Sequence, residues 1–227
     1  MTRRALARAL RQHLEGLRAL GVTEIPRTAQ PAPVATGREQ DRAPRLERLA
    51  REIQTCRRCP LYRTRTHAVV SDGSPQAELL FVGEAPGREE DLQGVPFVGA
   101  AGQLLTKMIE AIGMRRDQVY ICNVLKDRPP GNRTPLPEEV EACLPFLWEQ
   151  IAIVRPRVIC ALGAVAARAM IGPQVSITKI RGVLHDYHGI PLIPTFHPAY
   201  LLRNPPAKKF AWVDLKRVKQ LLVTSHT

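Results

Sequence analysis

The sequence predicts an α/β protein: a three-layer α/β/α sandwich around a central four-stranded, mainly parallel sheet. Two observations carry this. Short apolar runs with no polar alternation recur at residues 79–82, 119–124, 158–162 and 192–196, the pattern of strands buried on both faces. Helical periodicity occupies residues 101–112, 137–154 and 163–170 between those runs, and 210–222 after the last. Strands that alternate with helices pair in parallel and carry helices on both faces of the sheet.

The elements follow in order. Residues 4–20 read as an amphipathic helix with Leu6, Leu10, Leu14 and Leu17 on one stripe, stopped at Gly21. Residues 26–44 hold Pro26, Pro31, Pro33 and Pro44 and read as a linker. Residues 1–45 are thus expected to form a basic helix plus a Pro-rich linker, and 46–227 the main domain. A short helix over 46–54 leads into Cys56. The helix over 137–154 opens with Pro137, Glu138 and Glu139, which suit its positive N-terminal end. Gly113 stops the helix before it and Gly163 opens the one after it. Residues 180–187 read as a hairpin arm feeding the last strand.

The chain carries 33 Lys+Arg against 21 Asp+Glu, a net charge of +12. Of this excess, +9 falls in residues 1–65, where every basic residue is arginine. Such a surface suits a polyanionic partner, nucleic acid first. Hydrophobic residues at 44% and charged residues at 24% exclude a wholly disordered chain. No apolar run approaches the roughly eighteen residues of a membrane span. The basic start, Met1-Thr2-Arg3-Arg4, lacks the apolar core of a secretory signal, so a cytoplasmic protein is expected. Five cysteines, an odd count, argue against a disulfide framework. Cys56 and Cys59 form a Cys-x-x-Cys pair. With Cys143 and either Cys122 or Cys160 they would make a thiolate site for iron–sulfur or zinc, between which spacing does not choose. Cys160 lies in an apolar strand and reads as a small buried hydrophobe.

Ligands of parallel α/β sheets bind at the carboxyl ends of the strands. Three motifs fall there. Gly83-Glu84-Ala85-Pro86-Gly87-Arg88-Glu89-Glu90-Asp91 follows the first strand, is too acidic for a phosphate cradle, and offers carboxylates to position water or face a developing cation. Asn123 ends the second strand with one donor and one acceptor, a match to an amide edge such as that of uracil. His197 follows the fourth strand, able to donate to an anionic oxygen, and Leu201, Leu202 and Arg203 next to it join apolar and cationic groups fit to wedge into a base stack. Phe97, in Pro96-Phe97-Val98-Gly99, is a core plug or a stacking platform for a base.

Taken in this order, the motifs resemble the type 4 uracil-DNA glycosylases, a bacterial and archaeal family that carries a 4Fe-4S cluster. The resemblance runs from about residue 46 to about 224. It takes in Cys56/Cys59, the Gly83–Asp91 loop, Pro96–Gly99, Asn123-Val124-Leu125-Lys126, Arg128-Pro129-Pro130-Gly131-Asn132-Arg133, Glu141-Ala142-Cys143 and His197–Arg203. It implies a uracil-DNA glycosylase-like fold and an enzyme of base excision repair that flips uracil from single- or double-stranded DNA and hydrolyses its glycosidic bond. Gly83, Glu84 and Ala85 are then expected to line the uracil pocket, Phe97 to stack on the base, Asn123 to read its edge, and His197 to stabilise the leaving anion. Glu84 and Glu89 are the leading carboxylates for the attack on C1′, and Leu201, Leu202 and Arg203 the DNA contacts. A monomer is expected. The competing reading is a non-catalytic DNA-binding iron–sulfur module; an iron–sulfur redox protein is a weaker third.

The chain departs from the family at one place. Asp127 stands where the family has its third cluster cysteine, sixteen residues before Cys143. The ligand set implied is Cys56, Cys59, Asp127 and Cys143, with Asp127 binding iron through oxygen. The alternatives are substitution by Cys122, or a cluster that is labile, three-iron or absent. A related branch of the superfamily bonds covalently to DNA through a histidine after the Asn strand; residues 131–136 hold none, so turnover is expected.

Overall fold

A computed structural model describes residues 41–224. The expected N-terminal helix and all but the end of the linker lie outside the described residues. Helix α1 (Arg42–Gln54) begins inside the expected linker and takes Pro44 into its first turn, where a backbone N–H has no helical partner to lose.

Six strands form one sheet: β1 (Asp72–Gly73), β2 (Leu79–Gly83), β3 (Tyr120–Asn123), β4 (Val158–Leu162), β5 (His185–Tyr187) and β6 (Ile190–Thr195), in the order β1-β3-β2-β4-β6-β5. The four central strands are those expected, and they pair in parallel. The expected count of four is corrected by two short antiparallel edges. β1 is two residues long and β5 three, too short to leave a periodic signal. Of the expected hairpin arm over 180–187, only His185–Tyr187 forms a strand, β5, paired with β6.

The remaining helices are α2 (Arg88–Gln93), α3 (Ala100–Ala111), α4 (Pro137–Val154), α5 (Gly163–Ile171), α6 (Ile177–Ile180), α7 (Pro198–Arg203) and α8 (Lys208–Thr224). Successive strand residues point to opposite faces, and two cores result. On one face Leu79, Phe81, Cys160 and Ile193 pack with Leu105 and Ile109 of α3 and Leu215 and Val218 of α8. On the other, Leu80, Val82, Ile159 and Leu192 pack with Leu147 and Ile151 of α4 and Ala166 of α5. A third cluster seats Leu49 and Ile53 of α1 on Phe146 and Ile153 of α4. The three-layer sandwich thus follows from strands apolar on both sides.

The topology also places a crevice. The chain leaves β2 toward α3 on the first face and leaves β4 toward α5 on the second. Adjacent parallel strands whose connections part in this way leave an opening at their carboxyl ends.

Gly102 shows how tightly that opening is built. A Cβ there would overlap the carbonyl carbon and oxygen of Phe97, so α3 lies directly against the backbone of the Phe97 loop. Gly102→Ala is expected to displace Phe97 and cost about 1–3 kcal/mol, the scale of overpacking, read as a lower denaturant midpoint with an unchanged slope.

Candidate active site

The segments that follow β2, β3 and β6 meet the Phe97 loop at the crevice, around a cavity of about 520 Å³. Gly83 and Asn123 face each other at the ends of β2 and β3. The pairing continues one step beyond the strands, with Val124 N donating to Gly83 O and Leu125 N to Glu84 O, both at 3.0 Å. Asn123 and Glu84 are therefore carried on sheet-like backbone rather than on free loops.

Asn123 is buried, and its Oδ1 has no hydrogen-bond partner among the described residues. An unsatisfied buried acceptor costs about 1–3 kcal/mol, which a ligand donor would recover. Its backbone is held from behind. The Lys126 ammonium, itself buried, donates to Asn123 O and to Gln150 Oε1, each at 2.6 Å. Gln150 in turn donates to Val70 O and Tyr120 Oη. Burial lowers the Lys126 pKa below the usual lysine range.

Phe97 sits in the left-handed region at φ 55°. It belongs to the first core and also lines the cavity, so the two sequence readings of it are compatible. A Cβ on Gly83 would overlap both the Phe97 ring and Asn123 Oδ1, so only glycine leaves room for both. The Phe97 and His197 rings lie 5.6 Å apart, tilted by 31°.

His197 is the N-cap of α7, and its Nδ1 accepts from Ala199 N at 3.1 Å. That bond leaves the ring proton on Nε2 as the free donor. Burial, helped by the positive charge of Arg203 and opposed by Glu90, lowers the pKa to about 4. The ring is neutral at neutral pH. The folded pKa is below the unfolded one, so below about pH 6.5 the unfolded chain binds a proton that the folded chain does not. Stability contributed here is full above about pH 6.5 and is lost as pH falls toward about 4. Denaturant unfolding at pH 7, 5.5 and 4 reads this: His197→Gln should lose less stability than the parent chain across the window.

Of the expected carboxylates, Glu84 and Glu89 both line the cavity. Glu84 is half-buried, and desolvation raises its pKa above the ordinary glutamate value. Glu89 is exposed. Glu90, not singled out from sequence, has a different job. Its Oε2 accepts from Gly87 N at 3.1 Å, and its Oε1 from Val98 N at 3.0 Å and Gly99 N at 2.9 Å. One carboxylate thus ties the loop after β2 to the loop that carries Phe97. The signal was local: Glu90 lies three residues after the Gly87 N-cap, the capping-box spacing. Ala85 also lines the cavity, whereas Gly83, expected beside it, is not among the lining residues and lies against Phe97 and Asn123.

The expected DNA wedge is corrected in part. Leu201 is 1% exposed and belongs to the first core, because its position on α7 turns it inward. Leu202 at 41% exposure and the exposed Arg203 remain outside. Arg203 lines the cavity together with Arg88 and Arg133, a cationic rim that the motif strings contained but that no periodicity marked. Arg133 is oriented by Glu139, which accepts from its Nη1 at 2.9 Å and its Nη2 at 2.6 Å and also from Leu136 N at 2.8 Å.

The cysteine corner lies apart from the cavity lining. Cys59 and Cys143 are buried and interact with each other, which lowers the pKa of Cys59 toward thiolate and raises that of Cys143. Cys56 packs against the α1–α4 cluster, and its sulfur accepts from Arg58 N at 3.5 Å. Asp127 is taken up by an ion pair with Arg65, and its charge also acts on Cys59. Arg65 Nη1 donates to both of its oxygens at 2.9 Å. Cys122 and Cys160 are buried in β3 and β4. Among the described residues no three His, Cys, Asp or Glu side chains converge as a metal site. The four-ligand set of Cys56, Cys59, Asp127 and Cys143 therefore does not fit a 4Fe-4S cluster, since its third member, Asp127, is already engaged as a carboxylate in an ion pair.

Comparison with known proteins agrees with this geometry. The family model described as the uracil DNA glycosylase superfamily matches residues 70–216. The type-4 uracil-DNA glycosylase of Thermotoga maritima is 48% identical over 181 residues, covering 78% of this chain and 94% of that protein. The type-4 enzyme of Sulfurisphaera tokodaii is 45% identical over 188 residues, 79% of this chain and 86% of that protein. A type-5 uracil-DNA glycosylase of Pyrobaculum aerophilum is 31% identical over 181 residues, 72% and 79% of the two chains.

Proposed function

Because the chain belongs to the uracil-DNA glycosylase superfamily, we propose that it is a DNA N-glycosylase of base excision repair that hydrolyses the bond between uracil and deoxyribose. The observation that carries this reading is the pairing, in one cavity, of a buried acceptor with no partner, Asn123 Oδ1, and a donor of fixed tautomer, His197 Nε2–H. A flipped uracil satisfies both. Its N3–H donates to Asn123 Oδ1, its O4 accepts from Asn123 Nδ2, and its O2 accepts from His197 Nε2–H. Cytosine inverts the pattern at N3 and at the exocyclic group.

Phe97 supplies the face on which the base stacks. As the bond from C1′ to N1 breaks, its electron pair moves onto uracil, and charge builds on O2 beside His197. The sugar becomes cation-like. Glu84 faces that charge and orients the water whose oxygen bonds to C1′; its raised pKa makes it a better acceptor for the water's proton. Uracil leaves as an anion and takes a proton from solvent. Extrusion of the nucleotide costs a few kcal/mol, offset by Leu202 at the opened stack and by Arg88, Arg133 and Arg203 on phosphates. The substrate is uracil-containing DNA of the cytoplasm, and the chain acts as a monomer. No helix among the described residues is long and apolar enough to cross a membrane.

The test is base release from a labelled oligonucleotide with one uracil, in EDTA, followed by alkaline cleavage of abasic sites. Scission at uracil, and none where thymine or cytosine replaces it, is the expected result. A chain that binds the oligonucleotide without scission would instead be a DNA-binding module.

A further inference from the structure

The Arg65–Asp127 contact is among the most enclosed ion pairs of the described residues. Its side chains are 11% and 5% exposed, and its members lie 62 residues apart in sequence. It does more than neutralise a carboxylate. Arg65 Nη2 donates to Gln54 O, at the end of α1, at 2.6 Å. Next to it, Thr66 donates from N and Oγ1 to the buried Asp91 carboxylate, and Val69 N donates to Lys126 O at 2.8 Å. Arg65 thus gathers the end of α1, the cysteine loop and the turn after β3 into one joint. A cluster bound through Cys56, Cys59, Cys143 and a ligand at position 127 would also join the cysteine loop to the turn after β3, and would add α4 through Cys143. Asp127 cannot ligate iron through an oxygen without weakening that joint, because both of its oxygens accept from the same guanidinium nitrogen.

We propose that the Arg65–Asp127 ion pair holds the cysteine loop in place of the third cluster ligand, so that this chain folds and keeps its cavity without depending on a 4Fe-4S cluster. The inference rests on packing, so its failure and the failure of the glycosylase assignment are separable.

The experiment uses the full chain, purified anaerobically, and reads iron content, visible absorbance and Tm before and after chelation under reducing conditions. The expected result is a Tm unchanged by chelation to within about 2 °C, less than the shift from 1 kcal/mol in a chain this size. Asp127→Asn and Arg65→Gln should each lower Tm by about 6–20 °C, with or without iron, by stranding one charge of a buried pair. Asp127→Cys, reconstituted with iron and sulfide, should gain a broad visible absorbance that the parent lacks, along with a Tm that chelation lowers. The proposal is overturned if the parent chain carries that absorbance at full strength and loses many degrees when iron is removed. It is equally overturned if Asp127→Asn sheds the parent's absorbance, which would make Asp127 a ligand. The chelation arm needs no variant, so a substitution that fails to fold does not spare the proposal.

Discussion

His197→Ala lowers the rate of uracil release by about 10²–10³ at neutral pH while DNA binding is nearly unchanged. The magnitude follows from where charge appears. The departing uracil accumulates negative charge on O2 only as the glycosidic bond breaks, so a donor at that atom stabilises the transition state more than the bound substrate. His197 meets the requirement without a proton to give away. Ala199 N–H holds Nδ1 as the acceptor, Nε2–H is left toward the cavity, and the lowered pKa of about 4 keeps the ring neutral. Activity should therefore show no inflection from this residue near pH 6.5, and should fall as pH drops toward about 4, where protonation of Nδ1 breaks the cap. Single-turnover kinetics separate the cases. If kcat survives while affinity falls, His197 binds DNA and does not assist departure.

Asn123→Asp lowers uracil release by a similar factor, about 10²–10³, and narrows the ratio of uracil to cytosine release. The substitution is nearly isosteric, so the packing against Gly83 and Phe97 is preserved. What changes is the donor. A carboxylate has no N–H for O4 of uracil, and its charge would sit in a buried cavity next to the Phe97 ring. The Lys126 ammonium on the backbone carbonyl offsets part of that charge without restoring the donor. Competition between uracil- and cytosine-containing oligonucleotides measures the ratio. A variant that keeps the parent's rate and ratio removes Asn123 from base recognition.

Much of this site was legible before any coordinates. Gly83 and Asn123 end apolar runs that read as buried strands and His197 follows another, and the carboxyl ends of parallel strands lie on one edge of the sheet. Their convergence is thus a consequence of periodicity plus topology. Phe97 was ambiguous, since an aromatic between proline and glycine serves core and cavity alike, and it does both. Leu201 faces the core rather than DNA, which the sequence does not reveal because a six-residue helix is too short for its pattern to say which side faces in. The sequence does not set Glu90 apart from Glu84, Glu89 and Asp91, because four carboxylates in one loop look alike until their partners are known.

The sequence by itself determined the layer order, the four central strands and the residue types available for chemistry, because burial on both faces of a strand and on one face of a helix writes a period into the chain. Tertiary structure alone decided the pairings between segments that no period links. The two edge strands are set by what lies beside β3 and β6. Glu90 became a tie between loops because its carboxylate meets three N–H groups that face the same point. Asp127 became the partner of Arg65 because the cysteine loop and the turn after β3 are folded against each other, and a carboxylate buried next to a guanidinium is held more strongly by that charge than sequence spacing alone can reveal.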